Sequence, residues 1–152
     1  MISEKDRNKA VKLLKTLLSR GLTNYELDDN CPSQSVDKGV KAIGEQIWCF
    51  YDDFPERLLT RKDFTQEELN IIHRCLTFLQ SPAEYLWPDY SFETENVRFL
   101  DYIMCRSSRI RKMEWAKFIS AGDIVYWPFI NKDQYNGAKE KLEETRIFWK
   151  AE

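Results

Sequence analysis

The chain has 152 residues, of which 43% are hydrophobic, 14% are aromatic and 32% are charged, and its net charge at pH 7 is −2. These values exclude a chain that is disordered throughout, and they argue against a dedicated polyanion-binding protein, which is usually strongly basic. The length predicts a single helical domain over residues 1–152 with enough apolar residues to build its own core.

The first predicted helix begins after Ser3, whose hydroxyl can accept a hydrogen bond from a backbone N–H of the first helical turn. Leu14 and Leu17 belong to an apolar stripe at helical spacing, and Gly21 stands where a left-handed residue commonly ends a helix. The stretch that follows, residues 22–33, has the composition of a loop.

A second helix is predicted over about residues 35–51, with an apolar stripe from Val36 to Phe50. Gly39 and Gly44 weaken a helix by roughly 1 kcal/mol each relative to Ala, so their presence favours a close crossing with another helix. The third helix has the clearest start, because Thr65 and Glu68 form a capping-box pattern.

The rest of the chain is predicted to hold three more helices, over about 91–106, 107–121 and 133–150, of which the first two are either separate or continuous. Two segments rich in aromatic residues, "EYLW" and "DIVYWPF", are candidates for short strands that pair with each other. The predicted fold is therefore mainly α, with about six helices and room for a short two-stranded β element.

Each of these aromatic segments contains a Trp-Pro pair, Trp87-Pro88 and Trp127-Pro128. One interpretation is that each Trp closes an end of the helical core, because the Pro restricts the backbone and the indole N–H can find a partner. The alternative is an exposed aromatic platform, since Trp and Tyr dominate binding hot spots.

The sequence contains no pattern that predicts a cofactor or a metal site. Its four cysteines include no Cys-x-x-Cys pair, and its five glycines form no phosphate-binding loop. His73 is the only histidine, and a hydrolytic enzyme that uses it with a neighbouring acid is one alternative function. The other interpretation places His73 beside the core stripe of the third helix.

Charge is segregated along the chain. Residues 26–56 contain eight acids against two lysines, and Asp52 and Asp53 lie between aromatic neighbours. We expect either a solvated acidic loop or an acidic-aromatic surface that meets a basic protein partner. The predicted partner-binding residues are Asp52, Asp53, Glu56, Trp87 and Asp89.

A basic stretch, residues 98–117, interleaves six Lys and Arg residues with Trp115. Such a stretch can follow a phosphate backbone, complement the acidic segment within the fold or in a second copy, or form a solvated helix face. Nucleic-acid binding is thus an alternative function, and a homo-oligomer stays open. The residues that would carry nucleic-acid binding are Arg106, Arg109, Arg111 and Lys112.

No apolar run approaches the ~20 residues that cross a bilayer, so we expect no membrane contact. The N-terminal segment carries Glu4 and Asp6 and lacks the apolar stretch of a secretory signal. We therefore expect a cytoplasmic protein.

The segments "FYDDFPERLL" and "LNIIHRCLTFLQSPAEYLWPDY", within residues 48–90, carry a resemblance. Together they resemble a group of small uncharacterised bacterial proteins that pair a Tyr-Asp-Asp motif with a later Glu-Tyr-x-Trp-Pro signature. This resemblance implies no activity. In size and charge segregation the chain is also similar in type to toxin-immunity proteins. The first hypothesis is therefore a non-enzymatic protein-binding module, such as an immunity or antidote protein that covers a basic partner.

Overall fold

The computed structural model of the chain describes residues 1–51, 56–90 and 106–150, and for 106–111 and 145–150 it describes the backbone alone. The described residues form six α-helices and two short strands, so the predicted mainly α fold with a small β element is confirmed. The helices are α1 (Glu4–Ser19), α2 (Asn24–Asn30), α3 (Lys38–Trp48), α4 (Gln66–Leu79), α5 (Arg106–Ile119) and α6 (Lys132–Lys150). The predicted helix over 91–106 lies outside the described residues, except for its last position.

The two strands are β1 (Leu22–Thr23) and β2 (Leu58–Leu59), and they pair antiparallel with Leu22 opposite Leu59. The sheet therefore forms from other segments than the two aromatic ones that were candidates for pairing. Ile124–Tyr126 instead forms a 3-10 turn, whose backbone is held by the side chain of Asp123. A 3-10 turn suits this place because Pro128 has no N–H to give to a strand ladder.

One helix that was not predicted, and the start of another, each have a local cause. A loop was predicted where α2 forms. The helix begins there because Thr23 accepts from the N–H of Glu26 while the Glu26 carboxylate accepts from the N–H of Thr23. This capping box supports a seven-residue helix that is too short to show an apolar period. Helix α3 begins at Lys38 because Asp37 caps it, and this leaves Val36 exposed.

Helix α4 lies at the centre of the core and contacts α1, α3 and α6. Its residues Ile72, Cys75 and Phe78 are fully buried. A Cβ on Gly39 of α3 would lie 2.5 Å from Cε1 of Phe78, so only glycine lets α3 approach α4 this closely. The close helix crossing predicted from the glycines is confirmed at Gly39. All six helices contribute at least one residue to the core or pack against residues that do.

The Trp-Pro segments close this core and contact each other. The side chains of Trp87 and Trp127 are only 2% and 5% exposed. The indole N–H of Trp87 donates to the carbonyl oxygen of Phe129 at 3.0 Å, and that of Trp127 donates to the hydroxyl of Tyr85 at 3.2 Å. Each segment thus supplies a donor and an acceptor to the other, as expected of buried Trp side chains.

No described helix is both long enough and apolar enough to cross a membrane.

Candidate functional site

A groove with a volume of about 260 Å³ lies between α2 and α3. It is the place where the structure brings acidic and aromatic side chains of separate elements together. We call it the α2–α3 groove; its lining residues are Leu27, Asp28, Cys31, Ser33, Lys41, Gly44, Glu45 and Trp48.

The distance between the two walls is set by two small residues, Cys31 after α2 and Gly44 in α3. Leu27 is buried and anchors α2 to the core. A Cβ on Gly44 of α3 would lie 2.7 Å from the Sγ atom of Cys31, so glycine at this position admits the thiol. The two walls therefore meet at the floor of the groove, while Asp28 and Lys41 are exposed above it.

The electrostatic character of the groove is visible at Cys31. Burial is the largest cause that raises the pKa of this thiol, and the charges of Asp28 and Glu45 raise it further. One carboxylate belongs to α2 and the other to α3, so negative potential converges on the floor from both walls. Burial and the two carboxylates thus favour the neutral thiol, and Cys31 forms part of the groove wall.

An aromatic side chain stands at the end of the groove. Trp48 is partly exposed, and its ring lies 6.3 Å from that of Tyr51. Tyr51 is itself buried and donates its hydroxyl to the carbonyl oxygen of Leu22 at 2.8 Å. Because its neighbour is fixed in this way, Trp48 offers a preformed apolar surface beside the carboxylates.

Helix α2 extends this surface outwards. Tyr25, Asp28 and Asp29 are exposed, and their i, i+3 and i+4 spacing puts them on one side of the helix. The tyrosine side chain is 54% exposed. The acidic-aromatic face is defined as Tyr25, Asp28, Asp29, Glu45 and Trp48.

Helix stability does not account for the acids of this face. Asp28 and Asp29 lie in the last turn of α2, which holds no basic residue. Carboxylates at that end oppose the helix dipole, typically by about 0.3–1 kcal/mol each. Asp29 lines a separate cavity together with Lys9, Lys12 and Arg20, whereas Asp28 lines the α2–α3 groove.

The partner-binding residues predicted from the sequence are spread over different parts of the structure. Glu56 is exposed, and its neighbour Arg57 exchanges two hydrogen bonds with Asn24 at the start of α2. Asp89 is exposed at the start of α3, where it forms an ion pair with Lys38 at 3.0 Å. Helix α3 is 11 residues long, about 15 Å at 1.5 Å per residue, and Asp89 is paired at the end opposite Trp48.

The other three predicted residues do not contribute to an exposed surface that the structure describes. Trp87 is buried in the core, so its assignment to a binding surface is corrected. Its indole ring packs 4.8 Å from the ring of Phe118 and leaves no face for a partner. Asp52 and Asp53 lie outside the described residues.

The sequence contains a local signal for α2, the helix that carries part of the acidic-aromatic face. Thr23 and Glu26 have the Ser/Thr-x-x-Glu spacing of a capping box, which would have placed Asp28 and Asp29 on a helix. Two of the eight acids in residues 26–56 form ion pairs within the fold. Asp37 is buried against Arg7, and Glu26 forms an ion pair with Arg20 at 2.9 Å, a contact that lowers the pKa of the Glu26 carboxyl.

The residues of the two alternative functions lie on other helices. His73 is exposed on α4, and it lines neither the α2–α3 groove nor the cavity beside Arg74. Arg106, Arg109, Arg111 and Lys112 all belong to α5, where Lys112 is exposed and the three arginine side chains lie outside the description. Within the described ranges, no group of three or more His, Cys, Asp or Glu side chains could hold a metal ion.

No protein-family model matches the chain, and no curated protein or solved structure shows a significant similarity to it. The class of the protein is therefore defined by its own structure. It is a mainly helical protein with a two-stranded sheet and a groove of acidic and aromatic side chains between α2 and α3.

Proposed function

We propose that this protein is a non-enzymatic protein-binding module whose acidic-aromatic face receives a basic segment of a partner protein. The observation that carries the proposal is the α2–α3 groove, where Asp28 and Glu45 stand on opposite walls beside the partly exposed ring of Trp48. Neutralisation of a basic toxin is the specific role that the size and charge segregation of the chain favour.

The two kinds of side chain have separate tasks in this proposal. Carboxylates steer a basic partner towards the face and raise the association rate. Trp48 and Tyr25 lose contact with water when the partner docks, and such aromatic contacts slow dissociation. Lys41 on the rim repels a segment that places a cation near it, and so it favours one orientation of the partner.

Charge reversal on α2 provides the test. The variant Asp28→Lys removes negative charge from the groove, and it puts a cation in the last turn of a helix, where it is favourable. We therefore expect it to fold at least as well as the wild type. A matched control is Glu143→Lys, which makes the same change in net charge on the exposed surface of α6.

The tagged wild type and both variants would be used to capture partners from nuclease-treated lysate of the source cells, followed by calorimetry with the purified partner. We expect one dominant protein to bind the wild type and the α6 control, and to bind the α2 variant at least tenfold more weakly. Equal binding by the α2 variant would show that the acidic-aromatic face is not the interface. Capture of no specific protein by the wild type would contradict the proposed function itself.

Nucleic-acid binding through α5 is a second candidate, favoured by the exposure of one helix surface. Lys112 lies one helical turn before Trp115, and both side chains are exposed, that of Trp115 to 40%. A cation beside an exposed ring suits a single-stranded backbone with stacked bases. Fluorescence anisotropy with single- and double-stranded oligonucleotides would show binding that weakens steeply with salt and is reduced by Lys112→Glu. A flat titration at low salt would remove this candidate.

A further inference from the structure

A second cavity, with a volume of about 230 Å³, lies between α3, α4, α5 and the turn at Ile124–Tyr126. It shares no lining residue with the α2–α3 groove, so it belongs to a different part of the surface. We call it the tryptophan cavity; its lining residues are Gln46, Cys49, Ile71, Arg74, Trp115, Ile124 and Trp127.

Two tryptophans and two isoleucines are among its seven lining residues. The ring of Trp115 lies 5.8 Å from the ring of Phe118 at an interplanar angle of 20°, and 5.4 Å from the ring of Tyr90. These contacts fix the plane of Trp115 while 40% of its side chain stays exposed. Ile124 is 41% exposed at the same cavity. The walls thus offer preformed apolar area, which suits a planar ring.

One cation is oriented among these apolar groups. Nε of Arg74 donates to the carbonyl oxygen of Trp127 at 3.0 Å, and this bond sets the plane of the guanidinium group. The two terminal nitrogen atoms of Arg74 make no hydrogen bond to any residue in the described part of the chain. Arg74 is partly buried, so water screens its charge less than on an open surface. A planar guanidinium with two terminal nitrogen atoms available matches the two oxygens of a carboxylate.

We propose that the tryptophan cavity binds a small planar aromatic carboxylate. Its ring lies against Trp115 and the two isoleucines, and its carboxylate accepts hydrogen bonds from the terminal nitrogen atoms of Arg74. The amide of Gln46, which is partly buried at the cavity, gives a further polar contact. The volume suits a ligand of one or two rings and is below the usual range for drug-sized molecules. This ligand site is independent of the proposed protein-binding function, because the two sites share helix α3 but no lining residue.

The test compares 1-naphthoate with 1-naphthamide, which keeps the two rings and replaces the carboxylate with a neutral amide. Each probe would be titrated into the ¹⁵N-labelled full chain and followed in the indole and Arg Nε–H signals. We expect naphthoate to shift the signals of Trp115 and Arg74, and naphthamide to bind at least tenfold more weakly, because a charge-assisted hydrogen bond is lost. Equal affinity for the two probes, or shifts confined to Trp48, would overturn the proposal.

Two variants locate the site. Arg74→Gln should weaken naphthoate binding about tenfold and leave naphthamide binding unchanged. Because Arg74 also bonds to the backbone of Trp127, a second variant that keeps this arginine is needed. Ile71→Trp fills the cavity and should abolish binding of naphthoate, whereas Trp48→Ala, in the other groove, should leave it intact. Naphthoate binding that survives Ile71→Trp in a folded protein would contradict the site.

Discussion

Nε of Arg7 donates to Oδ2 of Asp37 at 2.6 Å, and the two side chains are only 2% and 3% exposed. The remaining donors of Arg7 reach the carbonyl oxygens of Ser81 and Ala83 at 2.7 and 2.9 Å. Oδ1 of Asp37 accepts from the N–H of Gly39 and caps α3. One ion pair thus connects α1, the start of α3 and the chain that follows α4. It fixes the position of α3, which lines both the α2–α3 groove and the tryptophan cavity.

Removal of one member of this pair should be costly. Arg7→Ala leaves the Asp37 carboxylate buried without its cation and leaves the carbonyl oxygens of Ser81 and Ala83 without donors. We expect the free energy of unfolding to fall by about 3–5 kcal/mol. Urea denaturation measures this change, and Lys15→Ala, an exposed change on the same helix, should stay within about 0.5 kcal/mol of the wild type. A loss of less than about 1 kcal/mol for Arg7→Ala would show that Asp37 does not depend on this cation.

Two helical glycines predict opposite effects of the same substitution. Gly39→Ala would place a methyl group 2.5 Å from Cε1 of the buried Phe78 ring, whereas a Cβ on Gly137 of α6 meets no atom within 4 Å. Overpacking typically costs about 1–3 kcal/mol, and Gly to Ala in an open helix position gains up to about 1 kcal/mol. Thermal unfolding should therefore show a lower midpoint for Gly39→Ala and a higher one for Gly137→Ala. A stable Gly39→Ala protein would mean that Phe78 can move aside.

How much of this fold the sequence predicts depends on whether a feature is local. Ser3 and Thr65 were recognised as helix caps because the whole signal lies within four residues. Helix α2 was missed because seven residues show no apolar period, and its capping box was the single local sign. The position of α2 against α3 depends on the contact of Cys31 with Gly44, which no local pattern encodes.

The same distinction explains the incomplete prediction of the site. The acidic character of residues 26–56 was inferred from a count of eight acids, but that count included Asp37, which the fold buries against a residue 30 positions away. Trp87 was assigned to the partner-binding surface because a Trp next to a Pro suits a core position as well as an exposed one. Its acceptor, the carbonyl oxygen of Phe129, is 42 positions distant. A hydrogen bond between such distant residues depends on the packing of the whole fold, and no local sequence pattern predicts it.

Acid should remove one specific source of stability. The hydroxyl groups of Ser35 and Ser3 donate to Oδ2 of Asp6 at 2.7 and 2.8 Å, and these bonds lower the pKa of the Asp6 carboxyl below its ordinary value of 3.8. A lowered pKa in the folded state stabilises the protein above pH 3.8, and this stabilisation is lost as the pH falls through the folded-state pKa.

Asp6→Asn tests this origin. We expect the variant to be less stable than the wild type at pH 7 and the difference to disappear in strong acid, because the wild-type carboxyl is then protonated in both states. Urea denaturation at a series of pH values from 7 down to about 2 would record the difference. Glu143→Gln on the exposed surface of α6 is the matched control and should show little change at any pH. A difference for Asp6→Asn that persists unchanged in acid would mean that the charge of Asp6 does not cause it.

The contact between the two aromatic segments can be weakened by the loss of one oxygen atom. The hydroxyl of Tyr85 accepts from the indole N–H of Trp127 at 3.2 Å, and burial is the main cause that raises the pKa of Tyr85. Tyr85→Phe keeps the ring in place and removes the acceptor, so we expect a loss of about 1–3 kcal/mol in the free energy of unfolding and a shift in tryptophan emission.

Tyr25→Phe is the control for this change, because the Tyr25 side chain is exposed and its hydroxyl stays in contact with water. Since Trp127 also lines the tryptophan cavity, Tyr85→Phe should weaken the binding of 1-naphthoate if the hydrogen bond holds the indole ring in position. Unchanged stability together with unchanged binding would show that packing alone positions Trp127 without help from this hydrogen bond.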